Sequence, residues 1–191
     1  NNVREEKMKL SIVIPVFNEE AVLQTTDRKV AAFLESLFSR KVVDDYEVIY
    51  VDDGSTDNSS LILKEFCSRS PKIKAVLLSR NFGHQRALAA GIVYSSGDAV
   101  VTLDADLQDP PELIELMLKK SKEGVDIVYA ARRERDSDSF FKKNTARFFY
   151  RAMQLMGADI VYDHADYRLI SRKVVKTFKE YKEVNIFLRG L

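Results

Sequence analysis

Apolar and polar positions alternate in long blocks through the first two thirds of this 191-residue chain. Residues 10–16 (LSIVIPV) form an unbroken apolar, β-branched run of the kind that is buried on both faces in a parallel sheet. The run stops at Phe17-Asn18-Glu19-Glu20, and residues 21–38 then carry Val30, Phe33, Leu34, Leu37 and Phe38 at helical spacing. Residues 46–51 (YEVIYV) repeat the pattern and end in Asp52-Asp53-Gly54-Ser55-Thr56-Asp57. There Gly54 permits a tight turn and Asp57 is suited to cap a helix that buries Leu61, Ile62, Phe66 and Cys67. A third strand over 73–78 ends in Ser79-Arg80-Asn81-Phe82-Gly83, and a helix follows over 84–94, broken by Gly97. A fourth strand over 99–103 delivers Asp104 and Asp106. Asp109, Pro110 and Pro111 then read as the cap and first turn of a helix over 111–122 that buries Leu113, Ile114, Met117 and Leu118.

Beyond a fifth strand at 125–131 the pattern weakens. Residues 132–140 (RRERDSDSF) are polar and without period, which predicts a loop. A helix is expected over 141–156, then a turn-like stretch holding His164, Asp166 and Arg168, then a helix over 174–181 and a terminal piece, VNIFLRGL, over 184–191. Four strand–helix units in succession predict an α/β protein: one domain with a mostly parallel, doubly wound sheet flanked by helices. Ligands bind such sheets beyond the carboxyl ends of the strands, where strand order reverses. With the order 3-2-1-4, Asn18 and Glu19, Asp52 and Asp53, Arg80 and Asn81, and Asp104 and Asp106 line one crevice.

Composition narrows the class. A hydrophobic fraction of 46% and a charged fraction of 31% describe an ordinary soluble globular chain. Its one cysteine, Cys67, excludes a disulfide framework or a cysteine zinc site and fits a reducing setting. The sequence opens on no signal-peptide pattern, and no apolar run approaches the roughly 20 residues that span a bilayer. The net charge of +1 conceals an asymmetry: residues 132–151 hold seven basic and three acidic side chains, and residues 168–191 hold seven and two. A basic final third beside an acidic remainder suits an anionic partner or an anionic membrane surface; nucleic acid is not among the expected partners.

Asp104 and Asp106 are the chemical centre of the pattern. Two carboxylates at this spacing repel one another unless a cation lies between them. Hard oxygen ligands with few histidines nearby favour magnesium or manganese, and magnesium commonly takes one or two carboxylates together with substrate phosphates. Neither G-x-G-x-x-G nor G-x-x-x-x-G-K-[ST] occurs, so phosphate would be held by metal and arginine. Asp53, in a tight turn, is suited to accept hydrogen bonds from a base or ribose. This is the layout of a nucleotide-sugar site. His84, which opens a helix, and His164 are expected to be structural.

IVIPVFNEE, VIYVDDGSTDNS, LSRNFGHQRALAAGI and VTLDADLQDPPELI, in this order, resemble family 2 inverting glycosyltransferases of the Rossmann-like GT-A fold. The D-A-D-L-Q-x-P-P form and the G-H-Q-x-A-L-x-x-G segment resemble the polyprenyl-phosphate glycosyltransferases among them, the group of dolichol-phosphate mannose synthases and bactoprenol glucosyltransferases. The resemblance covers residues 9–191. It implies a GT-A catalytic domain over 1–191, with a nucleotide-sugar-binding half over 9–131 and an acceptor-side half over 132–191 that ends in an interfacial helix ahead of an absent membrane anchor.

The resemblance also implies roles. Pro15, Asn18 and Glu19 would shape the nucleotide pocket, Asp53 would face the base, and Arg80 would lie nearby. Asp104 would sit by the sugar and metal, Asp106 would ligate the metal, and Gln108 would be a further ligand. Arg132, Arg133, Arg135 and Arg168 would hold an acceptor phosphate by bidentate contacts, and Asp166 is the candidate base should the acceptor be a hydroxyl. His164-Ala165-Asp166-Tyr167-Arg168-Leu169 resembles the bacterial branch, which favours glucose or an N-acetylhexosamine over mannose. The expected reaction is metal-dependent, inverting transfer of a hexose from a nucleotide sugar, UDP-linked, to a polyprenyl phosphate on the cytoplasmic face of the membrane, with oligomers formed through membrane segments of a longer protein. The competing expectations are a sugar-hydroxyl acceptor, a magnesium-dependent phosphotransfer domain, and a non-catalytic nucleotide-sugar module.

Overall fold

The computed structural model describes residues 7–131 and 164–180. Four βα units come first: β1 (Lys9–Val16) and α1 (Glu20–Ser39), β2 (Asp45–Asp52) and α2 (Ser59–Arg69), β3 (Ile73–Leu77) and α3 (His84–Tyr94), β4 (Ala99–Thr102) and α4 (Leu113–Lys122). They are followed by β5 (Ile127–Ala131), β6 (His164–Ser171) and α5 (Arg172–Glu180). The six strands form one sheet in the order β3-β2-β1-β4-β6-β5. The 3-2-1-4 order expected from the sequence is therefore present, with β1 parallel to both β2 and β4.

Alternate residues of the central strands feed two cores. Ile12, Ile14, Val48, Tyr50, Val101 and Leu169 pack against Leu23, Leu34 and Leu37 of α1, Leu63 and Phe66 of α2, and Ile114 and Leu118 of α4. On the opposite face Val13, Ile49, Val51, Val100 and Ile170 meet Leu88 and Ile92 of α3 and Val175 and Phe178 of α5. Both faces of each strand are thus buried, which is why these strands read as continuous apolar runs. A Cβ at Gly91 would stand 2.2 Å from Val13 Cγ1, so α3 lies directly on the sheet.

Two expectations are corrected. The stretch 164–171, expected to be turn-like with His164 in a turn, is the strand β6, inserted antiparallel between β4 and β5. Its charged residues obscured the period-2 pattern, yet Tyr167, Arg168, Leu169 and Ile170 are all buried. The helix expected from 111 begins at Leu113, with Glu112 rather than Asp109 at its cap. Pro110 and Pro111 have no N–H to donate, and their carbonyls close turns onto the amides of Leu113 and Ile114 instead.

At the amino ends of the strands a buried polar knot fixes the sheet. The carboxylate of Glu47, 2% exposed, accepts hydrogen bonds from Ser11 Oγ (2.7 Å), the Ser96 amide (2.6 Å) and hydroxyl (2.9 Å), and Lys74 Nζ (2.7 Å). The Gly97 amide donates to Ser11 Oγ, closing the knot at the entry to β4.

Candidate active site

Four loops leave the carboxyl ends of β1 to β4 together and enclose an open cleft of about 360 Å³. β1 contributes Pro15, Phe17 and Glu19; β2 contributes Asp53; the segment after β3 contributes Asn81 and His84; β4 contributes Asp104, Ala105 and Asp106. Glu19, Asp53, Asp104 and Asp106 are therefore brought together with Pro15, whereas Asp52, buried and accepting from the Ser55 amide at 3.0 Å, does not line the cleft.

Backbone chemistry explains the convergence. Asn18 takes φ 56°, where its side chain can reach the next loop: Asn18 Oδ1 accepts from the Thr56 amide at 2.8 Å, and the Asn18 amide donates to Ser55 Oγ. Asn18 thus joins the β1 loop to the β2 loop from outside the cleft lining. Gly54, at φ 72°, lets the β2 loop touch the segment after β3, because a Cβ there would lie 2.4 Å from the Arg80 carbonyl carbon. Arg80 itself turns its guanidinium over the Phe82 ring, 4.8 Å from the centroid. Asp53, only 3% exposed, accepts from the Phe82 amide at 2.7 Å and the Gly83 amide at 2.9 Å.

The β4 loop is held from both ends. Thr26 of α1 hydrogen-bonds the Ala105 carbonyl at 2.5 Å, and Tyr167 Oη donates to the Pro110 carbonyl at 3.1 Å. Leu107 takes φ 51°, a conformation uncommon for a branched side chain and one that turns the chain directly after Asp106. Gln108 donates its amide to Asp106 Oδ1 at 3.2 Å and its side-chain Nε2 to Oδ2 at 2.7 Å, so Gln108 holds the Asp106 carboxylate.

The acids of the cleft act on one another. Glu19 has its carboxyl pushed up by burial and by the like charges of Asp106, Asp57 and Asp104. Among the described residues no three His, Cys, Asp or Glu side chains form a metal-holding group by themselves. Two clustered carboxylates with a third facing them suit magnesium or manganese, which complete their shells with water and phosphate oxygens. Asp104 and Asp106 would hold it.

The other expected residues divide. Arg168 is buried in β6 at 3% exposure, with its guanidinium 5.6 Å from the Tyr129 ring centroid, beside a small apolar cavity under α5 rather than in the cleft. Asp166 belongs to β6, but its side chain lies outside the described residues, as do Arg132, Arg133, Arg135, the helix expected over 141–156 and the segment 184–191. Among the described residues no helix is long and apolar enough to cross a membrane. Phe17 and His84 enter the cleft without having been singled out for it. The sequence marked Phe17 only as the end of an apolar run, and His84 as a helix-opening residue of the G-H-Q-x-A-L-x-x-G segment expected to be structural.

A cleft at the switch point of a doubly wound sheet is where such folds bind their ligands, and the architecture is that of the GT-A glycosyltransferases. The model of "Glycosyl transferase family 2" matches residues 11–178, and the chain belongs to that family. It is 47% identical over 182 residues to the uncharacterized glycosyltransferase YkcC of Bacillus subtilis, covering 95% of this chain and 55% of the relative. It is 37% identical over 185 residues to the bactoprenol glucosyl transferase of Shigella phage SfV, covering 96% and 59%. The chain thus spans somewhat over half the length of these relatives. Glucosyl-3-phosphoglycerate synthase of Mycobacterium tuberculosis, solved with Mn2+, UDP-glucose and phosphoglyceric acid, superposes with a TM-score of 0.59 at 23% identity, over 87% of this chain and 58% of that one.

Proposed function

We propose that this chain carries the catalytic centre of an inverting hexosyltransferase that moves glucose or an N-acetylhexosamine from a UDP-sugar to a polyprenyl phosphate at the cytoplasmic face of the membrane. The observation that carries the reading is the meeting of Glu19, Asp104 and Asp106 in one cleft with the loops of β1, β2 and β3. The identity shared with a bactoprenol glucosyl transferase over nearly the whole chain supports the choice of acceptor.

In this reading Pro15, Asn18, Glu19, Asp53 and Arg80 form or brace the nucleotide end. Asp104 and Asp106 would hold a divalent cation, which would supply Lewis acidity toward the departing diphosphate. Gln108 fixes the Asp106 carboxylate by the two hydrogen bonds it makes to it. A phosphate monoester has a second pKa of about 6, so the acceptor arrives largely ionised and needs no strong base. Arg132, Arg133 and Arg135 bind that phosphate from the chain that follows β5. Asp166, on β6, serves as base only toward a hydroxyl acceptor, and Arg168, buried beside Tyr129 and away from the cleft, takes no part in holding the phosphate.

The test is a screen of UDP- and GDP-sugars with Mn2+ or Mg2+ and a short polyprenyl phosphate, following nucleoside diphosphate release. Release that requires the lipid phosphate supports the proposal. Release with a sugar hydroxyl and none with any lipid phosphate overturns the acceptor and promotes Asp166.

A further inference from the structure

The cleft is rich in acceptors and poor in donors. Of the described side chains that line it, four are the carboxylates Glu19, Asp53, Asp104 and Asp106, and only Asn81 and His84 carry an N–H. A diphosphate drawn to a cation at Asp104 and Asp106 still has oxygens facing away from that cation. Resting on the nucleotide-sugar reading above, we propose that His84, with Asn81 beside it, is the protein's direct hydrogen-bonding contact to the donor diphosphate, and that Asp53 is the positioning residue that presents it.

The geometry runs through one short segment. His84 Nε2 stands 3.8 Å from Asp104 Oδ1, and each side chain is a little over 40% exposed, so the imidazole and the carboxylate are neighbours in the open cleft. A phosphate seated at Asp104 arrives within reach of the ring. His84 is the first residue of α3, whose first turn hangs on the Gly83 carbonyl, the acceptor for the Arg86 and Ala87 amides. Gly83 is in turn fixed through its own amide by Asp53 Oδ2, while Asp53 Oδ1 takes the neighbouring Phe82 amide. Further along α3, Gly91 sets the helix against Val13 and Val51 of the sheet. Asp53 therefore has a duty beside any contact with a base: its buried carboxylate sets where the imidazole stands.

The experiment measures binding of UDP by calorimetry, or of GDP where UDP does not bind, and of the matching nucleoside by NMR titration, all with Mn2+. His84→Ala is expected to weaken the diphosphate by about tenfold or more while leaving the nucleoside within about twofold, since a hydrogen bond to a charged group is lost. His84→Gln, which keeps an N–H at similar reach, is expected to recover most of the loss. Asp53→Asn, which can keep only one of its two backbone contacts, is expected to weaken the diphosphate more than the nucleoside. Diphosphate binding unchanged in His84→Ala, or equal losses for diphosphate and nucleoside, overturns the inference and leaves the nucleotide-sugar reading intact. A wild-type chain that binds neither diphosphate with Mn2+ overturns both.

Discussion

Gly54 and Arg80 are in backbone contact: a methyl group placed on Gly54 would come within 2.4 Å of the Arg80 carbonyl carbon and 2.7 Å of the Asn81 nitrogen. The β2 loop and the segment after β3 are thus a single packed unit, and neither can shift while the other keeps its place. Gly54→Ala adds left-handed strain at φ 72° to a clash with backbone that has no rotamer to yield. It should cost about 3 kcal/mol of stability in urea unfolding. Gly124→Ala is the control. Gly124 also has positive φ, but its Cβ would meet nothing within 4 Å, so only about 1 kcal/mol is expected.

Acid should loosen the far end of the sheet first. Burial alone would push the Glu47 carboxyl up, but the hydrogen bonds from Lys74, Ser11 and Ser96 overcome it and hold the group at about 2. A depressed acid stabilises the fold at pH values above its unfolded value of 4.5, and that contribution disappears as pH falls from there toward about 2. Glu47→Gln should lower stability at pH 7 by roughly 2 kcal/mol and flatten the acid limb of a stability–pH curve. A limb of unchanged slope would show that another group controls it.

At Asp106 stability and activity should part. Removing its charge relieves Glu19, whose carboxyl is pushed up by burial and then by Asp106. A raised acid opposes folding once it ionises, so Asp106→Asn without metal should be at least as stable as wild type at neutral pH. Its turnover should nevertheless fall by about 100-fold or more. Thermal denaturation provides the second readout: UDP and Mn2+ together should raise the wild-type Tm and leave that of Asp106→Asn nearly unmoved.

Tyr167→Phe isolates the strut on the β4 loop. The phenol, whose pKa burial pushes far up, donates to the Pro110 carbonyl from a fully enclosed position. Its removal should cost about 1 kcal/mol and leave the Pro110 carbonyl with the Leu113 amide as its donor. Because that loop carries Asp106 and Gln108, KM for the donor should rise while the fold persists, as steady-state kinetics would show.

The four βα units and their order were legible because β1, β2 and β4, buried on both faces, have to be largely apolar, while the edge strand β3 keeps a shorter apolar run despite its exposed Lys74 and Leu77. Each such run here ends abruptly in polar residues that mark the top of the sheet. β6 was not legible. HADYRLIS buries Tyr167, Leu169 and Ile170 but also Arg168, whose stem and guanidinium pack against Tyr129 and α5, and a buried arginine imitates a loop in any hydropathy pattern. In the cleft, Asp104, Asp106, Glu19 and Asp53 could be anticipated because each directly follows a strand. His84 could not, because its place depends on how closely Gly91 lets α3 approach the sheet.

The insertion of β6 between β4 and β5 sets a condition on synthesis. β4 has four residues, and its second edge is covered by a partner from far downstream, with Thr102 and Arg168 separated by 66 positions. At about 5–20 residues per second, a ribosome leaves that edge bare for several seconds after β1 has taken its side. A bare, apolar edge is a template for pairing with another chain. Aggregation of nascent copies through β4 therefore competes with the arrival of Arg168, and any change that delays β6 will be felt in the yield of folded protein before it is felt in the stability of the molecules that succeed.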